Sequence, residues 1–241
     1  MKDWYKEDLA YIHDMGFRDY ALNSAPGILD ILRNHNIKEG LIVDLGCGSG
    51  LSAREFIKAG YRVLGIDISP AMIDIARKKV PEAEFRVSSF FHTEIPSCMV
   101  VTSIGECLNY LFDEQYNSET LTILFDRIFQ ALIPGGIFIF DLLKPVSTAI
   151  TQTFREGKDW IVLVEKSENR EQKKLTRRII SLRKVGDYYR RDEEIHHVRL
   201  YEPLGIVEQL SKVGFQVETM GNYGNFKLTP SHTVFIGYKK I

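Results

Sequence analysis

Val43-Asp44-Leu45-Gly46-Cys47-Gly48-Ser49-Gly50 is the most informative stretch of this 241-residue chain. It contains the end of the short apolar run 41–45, and it precedes a segment with helical character, 51–59, that ends at a glycine. Such a loop lies at the carboxyl end of a buried strand, where open α/β sheets bind ligands. Glycines let the backbone turn sharply and approach a ligand closely. The helix that follows offers unpaired amide groups to a carboxylate.

Strand and helix character alternate on both sides of this loop. Ser69-Pro70 has the residue types that begin a helix, an N-cap followed by proline, and Pro134-Gly135-Gly136 is typical of a turn. The expected helices are 2–12, 25–34, 51–59, 70–79, 118–132 and 203–213, and the expected strands are 41–45, 62–66, 84–87, 99–103, 137–140, 215–219 and 233–238. This alternation predicts a doubly wound, mostly parallel sheet with helices on both faces.

Residues 151–200 interrupt the alternation. The runs 160–166, 175–184 and 188–200 have strand character, and Gly186-Asp187 suits a hairpin turn between the last two. We therefore expect an antiparallel β insertion. The expected domains are an N-terminal helical cap at 1–36, a core formed by 37–150 and 201–241, and this insertion.

Two carboxylates accompany the glycine loop. Asp67 ends the second strand, 17 positions after Gly50, and a carboxylate there can accept hydrogen bonds from both hydroxyls of a ribose. The glycine pattern is GxGxG and not the dinucleotide pattern GxGxxG. Asp44 lies two residues before the first glycine, where it would repel a pyrophosphate but suit an ammonium group. A nucleoside that bears an ammonium group is favoured over a nicotinamide dinucleotide.

Residues 43–50 resemble the first motif of class I S-adenosylmethionine-dependent methyltransferases, and Gly65-Ile66-Asp67-Ile68-Ser69 resembles their second. The resemblance covers about residues 38–143. It implies a seven-stranded sheet, S-adenosylmethionine as the cofactor and S-adenosylhomocysteine as the product. The cofactor-binding residues that it implies are Asp44, Gly46, Cys47, Gly48 and Gly50 for the methionine part, Asp67 for the ribose, and Ile68 and Met72 for the adenine.

One part of the adenine site departs from the family. Relatives often have an aspartate after the third strand, but this chain has Ser88-Ser89 followed by Phe90. A serine has a shorter reach and binds the adenine amino group more weakly. After the fourth strand, the resemblance implies that Ile104, Gly105 and Glu106 lie beside the sulfonium.

The acceptor site has weaker sequence signals. Methyl transfer is an in-line displacement that alignment and exclusion of water can promote, so no residue has to be catalytic. Tyr11 and His13 lie where the family often has an aromatic segment over the cofactor, although a lone histidine is often a surface or capping residue. Asn109 is expected to orient a substrate amine or hydroxyl, with helix capping as the alternative. At most one residue of His196-His197 can face the pocket.

Composition narrows the possible partners. The net charge is −1, the N-terminal residues contain no apolar run, and the three cysteines form no CxxC pair. We therefore expect a cytoplasmic protein with no metal site and no membrane partner, and nucleic acid is disfavoured as a substrate. The insertion holds 13 Lys or Arg and 9 Asp or Glu. Its densest basic group consists of Lys173, Lys174, Arg177 and Arg178. We expect this group to be a solvated strand edge, with a site for an anionic substrate as the alternative.

The leading hypothesis is a methyltransferase that acts on a nitrogen, oxygen or carbon atom of a small-molecule acceptor. An RNA-modifying methyltransferase and a non-catalytic S-adenosylmethionine-binding protein are the alternatives. The insertion resembles the lids of small-molecule N-methyltransferases, so we expect it to cover the acceptor pocket. A dimerisation surface on the insertion is the alternative, with a homodimer as its consequence.

Overall fold

The computed structural model describes residues 4–117, 119–146 and 150–240. The helices are α1 (Glu7–Gly16), α2 (Asp19–Asn34), α3 (Leu51–Lys58), α4 (Pro70–Lys79), α5 (Thr120–Ala131) and α6 (Pro203–Val213), with a 3₁₀ turn at Cys107–Asn109. The strands are β1 (Leu41–Leu45), β2 (Arg62–Asp67), β3 (Glu84–Val87), β4 (Cys98–Ser103), β5 (Leu132–Leu143), β6 (Thr151–Glu156), β7 (Trp160–Asn169), β8 (Lys174–Val185), β9 (Tyr188–Arg199), β10 (Gln216–Met220), β11 (Asn222–Tyr223), β12 (Phe226–Lys227) and β13 (His232–Tyr238).

The main sheet has seven strands in the order β3-β2-β1-β4-β5-β13-β10. The first five are parallel to one another, while β13 runs antiparallel to both β5 and β10. The predicted doubly wound, mostly parallel sheet is therefore confirmed. The strand order reverses between β1 and β4, so the carboxyl ends of these strands form the switch point where such sheets bind ligands.

Neighbouring residues of the central strands supply the cores on opposite faces of the sheet. Ile42 and Val100 pack with Phe56 on one face, and Val43 and Val101 pack on the other. Both faces are covered by helices, which explains why these strands are continuous apolar runs instead of alternating ones. The carboxyl ends of β1 and β4 are thus held in a rigid setting.

Ser69 begins α4 as predicted. Its hydroxyl accepts a hydrogen bond from the Met72 amide at 3.2 Å, and proline occupies the first turn. The first two helices differ from the prediction. The first was expected at 2–12, of which residues 2 and 3 lie outside the described residues, but the helix runs from Glu7 to Gly16. The second begins six residues earlier than expected and contains Pro26.

The insertion forms a separate antiparallel sheet in the order β6-β7-β8-β9, which we call the lid sheet. The antiparallel insertion is therefore confirmed, but it has four strands and not three. Every residue of β6 is exposed, so this strand carries no alternation of apolar and polar residues for a sequence reading to detect. The turn between β8 and β9 contains Gly186 at φ +61°.

Two further segments differ from the sequence prediction. Pro134-Gly135-Gly136, expected to be a turn, lies inside β5, where the Gly135 amide donates to the Lys239 carbonyl and the Lys239 amide donates to Gly136. These partners are more than 100 residues away and leave no local signal. The helix expected at 118–132 begins at Thr120, and Ser118 lies outside the described residues. Within the described ranges, no helix is long and apolar enough to span a membrane.

Candidate active site

The glycine loop joins β1 to α3 through residues in the left-handed region. Gly46, Gly48 and Gly50 have φ values of +78°, +52° and +76°. A Cβ on Gly46 would lie 2.5 Å from Cys107 Sγ, whereas a Cβ on Gly48 would meet nothing within 4 Å. Gly46 is thus required by packing, and Gly48 leaves open space that a ligand can enter. A Cβ on Gly50 would contact Ala76 at 3.1 Å, so this glycine permits close helix packing and does not line the cavity.

Asp67 at the end of β2 faces the loop. Its Oδ2 accepts a hydrogen bond from the Gly48 amide at 2.9 Å, and its Oδ1 accepts one from the Ser69 amide at 2.8 Å. Burial raises the pKa of Asp67, and the amide hydrogen bonds oppose that rise. Each oxygen keeps further acceptor capacity. The carboxylate is therefore oriented to accept two more hydrogen bonds from a diol in the cavity.

Asp44 lies at the inner end of the same cavity. It is buried, and its Oδ1 accepts a hydrogen bond from Thr102 Oγ1 at 2.7 Å. Burial raises the pKa of Asp44 to about 6, although the Thr102 hydrogen bond lowers it. A buried carboxylate with this pKa is ionised at neutral pH and is stabilised by a cation placed beside it. An ammonium group fits this position.

The expected adenine residues divide into two groups. Ile68, Met72, Ser89 and Phe90 line the cavity. Ser88 does not, because its amide bonds to the Asp67 carbonyl at 2.9 Å and its hydroxyl donates to the Ser89 carbonyl.

Asp113 is a cavity residue that the sequence analysis missed. The hydroxyl of Ser89 donates to its Oδ2 at 2.5 Å, and the Gln115 amide donates to its Oδ1 at 2.9 Å. Burial raises the pKa of Asp113, but the Ser89 and Gln115 hydrogen bonds hold it below its usual value. A carboxylate from a different loop thus lies beside Ser89 in the cavity. The only sequence signal for Asp113 is that it follows residues 108–112, which come after β4 in the chain.

The turn after β4 is held by a buried acid at the end of β5. Asp141 accepts hydrogen bonds from the amides of Gly105 and Glu106 at 2.9 and 2.7 Å, and from the Tyr223 hydroxyl at 2.8 Å. Gly105 has φ +88° and Glu106 has φ +60°. A non-glycine residue at positive φ is strained, and the three hydrogen bonds to Asp141 stabilise this conformation. Ile104, Gly105 and Glu106 all line the cavity, as the resemblance implied.

An ion pair joins this turn to the lid sheet. Nη2 of Arg177 in β8 donates to both carboxylate oxygens of Glu106 at 2.8 and 2.7 Å, and Nη1 donates to the Tyr110 hydroxyl at 2.6 Å. The Tyr110 and Tyr5 hydroxyls are 3.1 Å apart. Burial opposes the charge on Arg177, but Glu106 raises the pKa of the guanidinium above its usual value. The sequence analysis did not place Arg177 beside Glu106.

The N-terminal segment closes the cavity and is tied to both sheets. Ser69 Oγ donates to the Tyr5 carbonyl at 2.9 Å, and the Tyr5 amide donates to Glu194 Oε2 of the lid sheet at 2.9 Å. Farther along, Ser49 Oγ donates to Asp14 Oδ1 at 2.6 Å. These polar contacts add to the apolar packing of Leu9 and Ile12 on the lid sheet and hold the N-terminal segment over the glycine loop.

Of the three candidates Tyr11, His13 and Asn109, only His13 lines the cavity. Its ring makes an edge contact with Tyr5, with centroids 5.3 Å apart, and stacks on Phe17 at 5.7 Å. Burial lowers the pKa of His13 to about 4. The imidazole is therefore neutral at physiological pH and keeps one nitrogen as an acceptor.

Tyr11 and Asn109 lie elsewhere. The Tyr11 hydroxyl donates to Asp159 Oδ2 at 3.2 Å, and the Arg183 guanidinium lies 3.8 Å from its ring centroid. Tyr11 thus joins α1 to the lid sheet at Asp159 and Arg183, away from the cavity. Asn109 is fully buried and donates to the Leu143 and Arg199 carbonyls at 3.2 and 2.6 Å. Its amide is used by the backbone and cannot orient a substrate.

The histidine pair of β9 is split between the two faces of the strand. His196 is fully buried, and its Nε2 lies 2.8 Å from Glu194 Oε2. It packs against Tyr5 and does not line the cavity. Among the described residues, no three His, Cys, Asp or Glu side chains form a group that could hold a metal ion. Cys47 and Cys107 are unpaired, and burial raises the pKa of both thiols.

These residues enclose a cavity of about 550 Å³, which is within the range of small-molecule sites. Asp67 and the glycine loop form one end, and the inner face of the lid sheet forms the other. The orientation of Asp67, the open space at Gly48 and the buried Asp44 fit a nucleoside that carries an ammonium group.

Comparison with known proteins agrees with this geometry. Residues 42–136 match the family described as a methyltransferase domain. A relative from Geobacillus sp. (strain WCH70) is 36% identical over 107 residues, which is 42% of this chain and 41% of that protein. A dTDP-3-amino-3,4,6-trideoxy-alpha-D-glucopyranose N,N-dimethyltransferase of Streptomyces venezuelae is 26% identical over 57% of this chain and 58% of its own length. An 18S rRNA (guanine-N(7))-methyltransferase of Mus musculus is 25% identical over 61% of this chain and 56% of its own length.

Solved structures share the whole fold at low identity. An S-adenosylmethionine-dependent methyltransferase from Clostridium acetobutylicum has a TM-score of 0.81 and 19% identity, over 96% of this chain and 98% of its own. CalS10, an amino pentose methyltransferase from Micromonospora echinaspora solved with S-adenosylmethionine bound, has a TM-score of 0.77 and 13% identity, over 100% of both chains. The class I fold predicted from the two motifs is confirmed.

Proposed function

We propose that this chain, which carries a methyltransferase domain of the S-adenosylmethionine-dependent class, transfers a methyl group to a small-molecule acceptor. The acceptor atom is nitrogen, oxygen or carbon. The observation that carries the proposal is the single cavity that joins the glycine loop to the inner face of the lid sheet. Cofactor and a small acceptor can meet in such a cavity, and both can be shielded from water there.

The cofactor end follows from the geometry of the loop. Asp67 accepts hydrogen bonds from the ribose hydroxyls, and Asp44 stabilises the ammonium of the methionine part. Gly46, Cys47 and Gly48 contact that part through their backbone. The adenine packs on Ile68, Met72 and Phe90, and its amino group donates to Asp113, which Ser89 orients. When bound, the cofactor supplies a methyl group that its sulfonium activates for displacement.

The residues of this chain align the acceptor and exclude water. Glu106 and Arg177 close the wall between the main sheet and the lid sheet, and Tyr5 and His13 cover the cavity from the N-terminal side. Exclusion of water and alignment are the main requirements of an in-line methyl transfer. His13 is neutral at physiological pH because burial lowers its pKa to about 4, so it can accept a hydrogen bond from an acceptor amine or hydroxyl.

Relatives with small acceptors support this function. The Streptomyces venezuelae relative is named for an amino sugar nucleotide, and CalS10 is titled an amino pentose methyltransferase. In this chain the lid sheet covers the end of the cavity opposite the glycine loop, and Val162, Val164 and Ile179 line that end. We therefore interpret residues 151–200 as a substrate lid, residues 1–36 as a helical cap and the remainder as the core.

Two measurements test the proposal. Calorimetry should detect S-adenosylmethionine and S-adenosylhomocysteine binding and no binding of NAD; the opposite result would refute the cofactor assignment. S-adenosylhomocysteine formation should then be followed by mass spectrometry with panels of amino sugars, amino acids and phenols. Cofactor binding without product for any acceptor would instead favour the non-catalytic alternative.

An RNA substrate is the second candidate, and one surface favours it. Tyr188 and Tyr189 on β9 are 81% and 50% exposed and precede two arginines, which resembles the aromatic and basic surfaces that bind RNA. However, Arg190 pairs with Asp8, and Arg191 pairs with Glu193, so their charges are compensated. Salt-dependent binding of a short RNA, lost in the Tyr188→Ala/Tyr189→Ala variant, would favour this candidate over the small molecule.

A homodimer is a further proposal that the outer face of the lid sheet supports. Phe154 of β6 and Leu163 of β7 are direct cross-strand partners, and they are 57% and 40% exposed. Exposed apolar pairs of this kind often mark protein interfaces. Light scattering should give a dimer for the wild type and a monomer for Phe154→Asp; a monomeric wild type would refute the proposal.

A further inference from the structure

The inner face of the lid sheet changes from apolar to cationic along its length. Val162, Val164 and Lys166 alternate along β7 and all line the cavity. On the neighbouring strand β8, Ile179 is the cross-strand partner of Val164, and Arg177 is the partner of Lys166. The apolar face therefore ends in two cations that lie directly opposite each other inside the cavity.

This arrangement is unfavourable unless an anion accompanies it. Like charges directly opposite on neighbouring strands destabilise a sheet, and burial adds a desolvation cost. Arg177 has one carboxylate partner, Glu106, which neutralises one of the two charges. Within the described parts of the chain, no acidic side chain lies within 4.0 Å of the Lys166 ammonium. Burial lowers the pKa of Lys166, and the charge of Arg177 lowers it further.

Arg177 also has an unused donor. Its side chain is almost fully buried, at 9% exposure. Nη1 and Nη2 are bound to Tyr110 and Glu106, but Nε has no hydrogen-bond partner among the described residues. A buried guanidinium N–H without a partner costs free energy. Glu106 opposes the lowering of the Lys166 pKa, but none of the described carboxylates contacts the ammonium directly. This ammonium and the unused N–H thus lie on adjacent strands of one cavity wall.

Resting on the proposed function, we infer that the methyl acceptor carries an anionic group, a carboxylate or a phosphate, that binds at Lys166 beside Arg177. Glu106 would repel an anion from the side of Arg177 that it occupies, so the anion lies on the Lys166 side. The methyl-accepting atom then points away from the lid sheet, towards Gly105 and the glycine loop.

The rest of the basic group on the insertion does not contribute to this site. Arg178 points to the outer face and pairs with Glu193 at 2.7 Å. Lys173 and Lys174 do not line the cavity. The predicted strand edge is wrong for them, because Lys173 precedes β8 and Lys174 begins this inner strand, which pairs with both β7 and β9. Of the four basic residues that the sequence analysis singled out, Arg177 alone lines the cavity, and Lys166 was not among them.

Matched probe pairs test the inference without knowledge of the natural acceptor. Protein saturated with S-adenosylhomocysteine is titrated calorimetrically with glycine and glycinamide, and with phosphoethanolamine and ethanolamine. In each pair, only the first molecule carries the anionic group. We expect the wild type to bind at least one anionic probe about tenfold or more tightly than its partner, as for a charge-assisted hydrogen bond in a partly desolvated site. The pair that shows the preference distinguishes a carboxylate from a phosphate.

The variant Lys166→Met should remove this preference, and Lys166→Arg should retain most of it. Lys184→Met is the matched control, because Lys184 lies on β8 of the same sheet but is exposed and outside the cavity. The affinity for S-adenosylhomocysteine should be the same in all four proteins. No preference in the wild type, or equal losses in Lys166→Met and Lys184→Met, would overturn the inference. Failure of S-adenosylhomocysteine to bind the wild type would refute the proposed function instead.

Discussion

Replacement of Asp67 by alanine tests the cofactor assignment most directly. The carboxylate has two oxygens, each of which already accepts one backbone amide hydrogen bond, from Gly48 or from Ser69. In the proposed complex, the remaining lone pairs accept two hydrogen bonds from the ribose hydroxyls. Hydrogen bonds to charged groups contribute about 1.5–3 kcal/mol each. Because water can replace part of the lost interaction, we expect a total loss of about 2–3 kcal/mol.

That loss corresponds to a roughly 30- to 150-fold higher Kd for S-adenosylhomocysteine. The fold should survive. The amides of Gly48 and Ser69 lose their acceptor but border the cavity, where water can reach them. Removal of a carboxylate whose pKa is raised by burial also offsets part of the cost. We therefore expect the free energy of unfolding to change by about 1 kcal/mol or less.

Isothermal titration calorimetry with S-adenosylhomocysteine measures the affinity, and urea denaturation checks the fold. Asp67→Asn is the matched control, because it keeps the shape of the side chain but loses the charge and one acceptor. It should bind more weakly than the wild type and more tightly than the alanine variant. A Kd of Asp67→Ala within about threefold of the wild-type value would refute the ribose assignment, and so would a variant that no longer folds.

Three further predictions follow from the same geometry. Burial raises the pKa of Asp44 to about 6, and an ammonium ligand is stabilised only by the ionised carboxylate. The affinity for S-adenosylhomocysteine should therefore be constant above that pH and fall by up to about tenfold per pH unit below it. Calorimetry of Asp44→Asn should give weaker binding with a flatter pH profile, and an unchanged profile would contradict the role of Asp44. Gly46→Ala would place a Cβ 2.5 Å from a sulfur atom and should lower the Tm by several degrees. Gly48→Ala should mainly weaken cofactor binding. Equal losses in Tm would argue against a packing role for Gly46 and a ligand-binding role for Gly48. Glu106→Gln leaves a buried guanidinium without its carboxylate and should lower the free energy of unfolding by about 3–5 kcal/mol. A double-mutant cycle with Arg177→Met should give a coupling free energy of at least about 1 kcal/mol. Additive losses of stability would show that the two side chains are not coupled.

The glycine loop and the position of Asp67 beside it were predictable because their determinants are local. The three glycines of the loop lie within five residues, and their positive φ values are a requirement that the residue type itself reveals. Asp67 ends a strand that pairs in parallel with β1, so the alternation of strand and helix brings it back to the loop. The N-cap of α4 was predictable for the same reason, since Ser69 bonds to an amide three residues away.

Errors at the edges of the core have a different cause. Pro134-Gly135-Gly136 has the composition of a turn, but it lies within β5 because the chain segment around Lys239 pairs with it. Asn109 is a residue type that often binds substrates, but its side-chain amide donates to the carbonyls of Leu143 and Arg199. In both cases a distant backbone satisfied polar groups that a local reading assigned to another role.

Residue types and their spacing were sufficient for the class of fold, the glycine loop and the class of cofactor, because those features depend on φ, strand order and charge within short segments. The acceptor end could not be read in this way. Glu106 and Arg177, which pair at that end, are 71 positions apart. Lys166 faces Arg177 only through the register of β7 against β8. A shift of that register by one residue would move either side chain to the other face of the lid sheet. The three-dimensional pairing of distant segments therefore determines which charges face the cavity.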